Sequence, residues 1–193
     1  IGERGGIRVD ERMRTSDPDI FAVGDAVEVR DFVTGDWSLI PLAGPANRQG
    51  RIAADAILGR EARFRGVQGT AVCRAFDITV AATGASEKAL QRRGIGGQKA
   101  QYEKIYLHPG HHANYYPGAR PITIKLIFST KDGRVLGAQA VGEEGVEKRI
   151  DAIAMAIQRG CTVFDLEEAE LCYAPQFGTA KDPVNVAGMI AAN

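Results

Sequence analysis

One twelve-residue stretch limits this chain more than any other: Thr15-Ser-Asp-Pro-Asp-Ile-Phe-Ala-Val-Gly-Asp-Ala26. Ile20, Phe21, Ala22 and Val23 form a short apolar run between turn residues, which predicts a buried strand. Gly24 and Asp25 end it. Having no Cβ, Gly24 lets a ligand come close to the backbone. Asp25 then puts a carboxylate at the carboxyl end of the strand, where α/β sheets bind their ligands. An ionised carboxylate only accepts hydrogen bonds, so it suits a hydroxyl-rich ligand such as a ribitol or ribose chain.

Ile7 to Val9 reads as a short strand ahead of this stretch. After it, Thr34-Gly-Asp36 is a turn signal between two apolar runs, which predicts a hairpin across 27–40 with Trp37 as a packing residue. A helix follows over 43–58, with Pro45 in its first turn and Gly59 as its stop. Ile52, Ala53, Ala56 and Ile57 make its apolar face. The start of a helix carries about half a positive charge and free N–H groups, so it favours an anion.

The segment from Thr15 to Ala26, with its Thr, its Pro and its Ile-Phe-Ala-Val-Gly-Asp run, resembles the second flavin-binding motif of the pyridine nucleotide-disulfide oxidoreductases. The resemblance implies that Asp25, with Gly24 beside it, holds the ribitol of FAD. It also implies that the backbone of Leu42, Ala43 and Gly44 faces the flavin edge that is negatively charged on reduction.

Beyond a polar, glycine-bearing boundary over 61–69 the texture changes. Runs 70–76, 78–84, 99–107, 121–130 and 135–141 read as strands, and Lys131-Asp-Gly-Arg134 as a hairpin turn. Ser86 caps a short helix that stops at Gly94. Helix 145–159 presents Val146, Ile150, Ile153, Ala154 and Ile157 on one side, and a short helix covers 163–168. Strands followed by helices argue an α+β domain. Phe76-Asp-Ile-Thr-Val-Ala-Ala-Thr-Gly84 and Asp132-Gly-Arg-Val-Leu-Gly-Ala-Gln139 resemble the dimerisation domain of the same family. The expected fold class is therefore α+β. Residues 1–64 are the C-terminal part of an FAD-binding α/β domain, and 65–193 an α+β dimerisation domain with an antiparallel sheet.

No G-x-G-x-x-G fingerprint occurs, so neither the FAD pyrophosphate loop nor the NAD(P)H domain is expected here. The chain opens without Met and closes inside a helical pattern, Pro183 to Asn193. The expectation is a piece of a longer protein that, alone, binds FAD poorly and is inactive.

Family members of the glutathione and lipoamide type carry a His-Pro…Glu pair near their C-terminus, but no His follows His112 here. Instead Tyr173-Ala-Pro and Asp182-Pro-Val-Asn resemble the coenzyme A-disulfide reductase and NADH oxidase branch. His111-His-Ala-Asn-Tyr115-Tyr116-Pro-Gly-Ala119 and Ile40-Pro-Leu-Ala-Gly-Pro-Ala-Asn-Arg-Gln-Gly50 favour the coenzyme A-disulfide reductase side. In that branch two tyrosines of the partner subunit stand over the redox cysteine, which implies Tyr173 and either Tyr115 or Tyr116, with Tyr115 preferred. A phenol with a pKa of about 10 is a donor at neutral pH and can steady a thiolate or protonate a leaving one. The resemblance implies FAD, NAD(P)H in the parent, a homodimer and a small disulfide substrate, coenzyme A disulfide or a persulfide if a rhodanese domain follows. An NADH oxidase or peroxidase is the alternative within the class, and a non-catalytic dimerisation module the alternative outside it. NADH and NADPH are not distinguished.

With 24 basic and 24 acidic side chains the net charge is zero, so no electrostatic footprint points to nucleic acid or anionic lipid. No apolar run approaches the roughly 20 residues of a membrane span, and the start is no signal peptide; a cytoplasmic location is expected. Cys73, Cys161 and Cys172 lack CxxC or metal-like spacing and sit in apolar contexts, so they read as small core residues. His108, His111 and His112 fit no common metal site and read as a solvated loop, and no metal is expected. Lys125 and Arg120 are candidate cations for a substrate phosphate.

Overall fold

Two different strand textures give two different sheets. The computed structural model describes residues 1–94 and 101–193, and these divide into two compact units, Ile1–Gly69 and Thr70–Asn193. In the first unit β1 (Ile7–Arg8) pairs in parallel with β2 (Val27–Arg30), and β2 pairs antiparallel with β3 (Trp37–Ser38). The hairpin turn between β2 and β3 is fixed by Asp31, whose carboxylate accepts from the N–H groups of Val33 and Thr34. The guanidinium groups of Arg8 and Arg30 stand 4.3 and 4.0 Å from the centroid of the Trp37 ring, close enough for cation–π attraction. α1 (Ala43–Ile57) adjoins the turn at Gly24–Ala26 and contributes Ala53 to the buried cluster. Val9, Met13, Val27, Val29, Ala53, Phe64 and Val67 form the core.

The strand expected over 20–23 does not form. Only Phe21 forms a bridge, to Arg14, while Ile20 and Val23 are exposed. The buried strand begins after Asp25, at Val27, because β1 supplies a parallel partner there. Gly24–Ala26 is one turn of 3-10 helix that leads into that strand. Ile57, expected on the buried face of α1, is also exposed.

The second unit carries a five-stranded antiparallel sheet, built from β4 (Ala71–Ala75), β5 (Ile78–Gly84), β6 (Tyr102–Leu107), β7 (Ile122–Ser129) and β8 (Val135–Gly142). Its order is β4-β5-β8-β7-β6. Lys99 and Ala100, expected to begin β6, lie outside the described residues. α2 (Glu87–Arg92) starts on Ser86, whose hydroxyl accepts from the Ala89 N–H. α3 (Val146–Arg159) lays Val146, Ile150, Ile153 and Ile157 on β5 and β8. α4 (Val163–Glu168) and α5 (Pro183–Ala191) each begin with a reciprocal capping box, Thr162 with Asp165 and Asp182 with Asn185, which satisfies N–H groups a helix start leaves free. The two pack so closely at Gly188 that a Cβ there would meet the Glu167 N at 2.4 Å.

Candidate functional site

In the first unit the site candidates gather where the 3-10 turn meets the start of α1. The Gly24 N–H donates to Gln49 Oε1 at 2.8 Å. Gln49, only 2% exposed, thereby ties the turn to the helix. Gly24 has φ +83°, a left-handed conformation that glycine adopts without strain. A Cβ at Gly24 or at Gly44 would stand in open space. Asp25 is exposed beside it. Leu42 is the N-cap of α1 in extended conformation and gives no side-chain cap, so the first N–H groups of the helix, those of Ala43 and Gly44 among them, have neither an intrahelical acceptor nor a side-chain cap from Leu42. An exposed carboxylate, two open glycines and an uncapped helix start fit a ligand with hydroxyls at one end and an anionic, flat edge at the other. The residues present therefore fit a flavin.

In the second unit the Tyr115 and Tyr173 hydroxyls lie 2.8 Å apart. Tyr115 is 76% exposed and Tyr173 47%. Tyr116 turns the other way and meets the His112 ring edge-on at 5.7 Å. Of the two tyrosines left open by the sequence, Tyr115 is thus the one brought to Tyr173. The bond from Tyr115, added to partial desolvation, raises the Tyr173 phenol above its ordinary value. Backbone pairing holds the two segments together, the Ala113 N–H donating to the Gly178 carbonyl at 2.9 Å and to that of Pro175 at 3.3 Å.

Behind the phenols lies a residue the sequence reading missed. Arg149, 1% exposed, donates from Nη2 to Asp182 Oδ2 at 3.0 Å and to the His111 carbonyl at 2.7 Å. Its Nε reaches Asp182 Oδ1 at 3.3 Å and its Nη1 the Gly145 carbonyl at 3.1 Å. Nothing in a helical pattern marks one arginine as internal, because its partners stand 33 and 38 residues away.

Several other expectations change. Lys125 is paired with Glu87, which also holds Lys104 at 2.7 Å. Arg120 is paired with Glu143 at 3.4 Å. Neither is a free cation awaiting a phosphate. The three histidines make local bonds: His108 Nδ1 to Thr123 Oγ1, the Arg120 N–H to His111 Nδ1, and His112 Nδ1 to the Ala113 carbonyl. His112 is buried, not solvated. Among the described residues no three His, Cys, Asp or Glu side chains converge as a metal site. Cys73 and Cys172 are exposed and Cys161 half-buried, all as free thiols, so none is a core residue. Cys73 is exposed because every residue of β4, at the edge of the sheet, is exposed. No helix among the described residues is long and apolar enough to cross a membrane.

Comparison with known proteins adds to this geometry. The family model described as "Pyridine nucleotide-disulphide oxidoreductase, dimerisation domain" matches residues 70–182. That described as "Pyridine nucleotide-disulphide oxidoreductase" matches residues 1–50. A protein named NADH oxidase from Methanocaldococcus jannaschii is 40% identical over 94% of this chain and 39% of its own length. One named coenzyme A disulfide reductase from Staphylococcus aureus is 34% identical over 97% of this chain and 42% of its own. The chain thus spans about two fifths of the curated relatives it matches. The crystal structure of reduced Bacillus anthracis CoADR-RHD superposes with a TM-score of 0.94 at 51% identity, covering 100% of this chain and 34% of that one.

Proposed function

Because the chain belongs to the pyridine nucleotide-disulphide oxidoreductases, we propose that it is the flavin-edge and dimerisation part of a FAD-dependent, homodimeric, cytoplasmic coenzyme A-disulfide reductase. The observation that carries this reading is the pairing of the Tyr115 and Tyr173 hydroxyls on an exposed surface. Two hydroxyls joined by one hydrogen bond use one proton between them and leave the other to donate outward. Such a pair is suited to steady a thiolate, or to protonate a leaving thiolate of coenzyme A or a persulfide, at the redox cysteine of a second subunit.

FAD, when bound, would supply electron transfer from NAD(P)H to the disulfide. Asp25 would accept hydrogen bonds from the ribitol hydroxyls. The N–H groups of Ala43 and Gly44 at the start of α1, with Leu42 ahead of them, would favour the edge that becomes negative. Gln49 would hold Gly24 and hence Asp25 in place. Residues 1–64 serve as the end of the FAD domain and 65–193 as the dimerisation domain of the longer enzyme.

The relative named NADH oxidase favours a second reading, with oxygen as acceptor. The two separate in the full-length enzyme, by comparing NAD(P)H consumption with coenzyme A disulfide under anaerobic conditions and with air alone. Fast anaerobic consumption supports the disulfide reductase; consumption only in air supports the oxidase.

A further inference from the structure

We propose, building on the reading of the two phenols above, that Arg149 is a positioning residue that holds the Tyr115 loop and the Tyr173 segment in the one register where their hydroxyls meet. A guanidinium out of water is costly unless it is paired and fully hydrogen-bonded. Arg149 meets that condition by engaging three separate pieces of chain at once. Its fork takes both oxygens of Asp182, downstream of Tyr173, and the carbonyl of His111, upstream of Tyr115. Its remaining arm closes on Gly145 at the start of its own helix.

The link to the phenols is continuous. From the interior outward come the Arg149 fork, the Ala113 N–H shared between Gly178 and Pro175, and the Tyr115–Tyr173 bond. The base of this ladder is rigid, since Ile150, Ile153 and Ile157 of the same helix are buried. Gly145 makes room for it: its φ is +69°, and a Cβ there would stand 2.3 Å from Arg149 Nη1 and 3.5 Å from His111 Cβ. Asp182 is bound on its far side too, accepting the Val184 N–H as the cap of α5. Only a planar fork of donors satisfies these acceptors together. The point charge of a lysine reaches one of them.

The test is Arg149→Lys, read in two ways. In this chain, NMR of carbon-labelled tyrosine, assigned with Tyr173→Phe, follows the ionisation of Tyr173. The expected result is a folded variant whose Tyr173 midpoint falls toward that of Tyr115→Phe, with little further change when the two substitutions are combined. In the full-length enzyme kcat with coenzyme A disulfide falls as it does for Tyr173→Phe, while the KM for the pyridine nucleotide stays unchanged. A folded Arg149→Lys chain with the wild-type Tyr173 midpoint overturns the assignment. Should that variant not fold, the Arg149→Met/Asp182→Asn pair is read the same way. It removes both buried charges and keeps an asparagine as the helix cap. If Arg149→Lys lowers the midpoint but Tyr173→Phe leaves disulfide turnover intact, the positioning holds and the functional reading of the phenols falls.

Discussion

The hydrogen bond to Tyr115, together with partial desolvation, favours the neutral form of the Tyr173 phenol and holds it above its ordinary value. The sign of its effect on stability follows. Folding favours the neutral phenol, so the contribution of the bond is fully present below the ordinary tyrosine value of 10.0 and is lost as pH rises through the raised one. Tyr115→Phe is expected to move the Tyr173 midpoint down toward the ordinary value and to flatten the alkaline loss of stability, both readable by titration. An unchanged midpoint would mean that the two hydroxyls do not share a proton in solution. Glu87 works in the opposite direction. Its bonds to Lys104 and Lys125 outweigh the cost of burial and hold its carboxyl below the usual range. Their stabilisation is present above the ordinary carboxylate pKa and lost as pH falls through the lowered one. Glu87→Gln should therefore lower the melting temperature at neutral pH and shrink its fall in acid, a difference that disappears at the acid end.

At the scale of elements, the start of α1 and the 3-10 turn act as one piece through Gln49. Gln49→Ala leaves the Gly24 N–H without its acceptor and should cost about 1–3 kcal/mol in urea unfolding, together with weaker flavin retention in the full-length enzyme. Ile153→Ala, in the fully buried face of α3, should cost about 2–5 kcal/mol, and a loss well under that range would mean the helix is less firmly seated than its burial indicates. The elements that sequence reading found share one property: their signals are local. The β7–β8 hairpin announces itself by period-two alternation around Lys131-Asp-Gly-Arg134, and α1 by Pro45 and Gly59. What was misread depends on partners far along the chain. Ile20–Val23 looked like the buried strand because it is apolar, but the parallel partner Ile7–Arg8 takes up Val27 and Glu28 instead. Glu28 is itself buried, accepting from the N–H groups of Arg4 and Gly6 and from the Arg8 guanidinium, where a charged residue in sequence reads as solvent-facing. Arg149 was hidden for the same reason. The tyrosine pair was named through family resemblance, and its hydroxyl contact could be found only in the fold.

At the scale of the molecule, the chain matches the family's dimerisation-domain model over 70–182 and its oxidoreductase model over 1–50, while it spans about two fifths of its curated relatives. On the proposed reading a flavin here would be held by its ribitol and one edge, without a G-x-G-x-x-G loop for its pyrophosphate, so this chain alone should purify colourless and bind FAD weakly in a fluorescence titration. A yellow preparation with one flavin per chain would show that the residues around Asp25 suffice. The proposed role of the phenols is tested by kcat for coenzyme A disulfide under anaerobic conditions in the full-length enzyme, with and without Tyr173→Phe. The result expected for that role is a loss of about a hundredfold or more in kcat, the range of a positioned proton donor, with flavin content unchanged and a smaller loss for Tyr115→Phe. Wild-type turnover in Tyr173→Phe would contradict it.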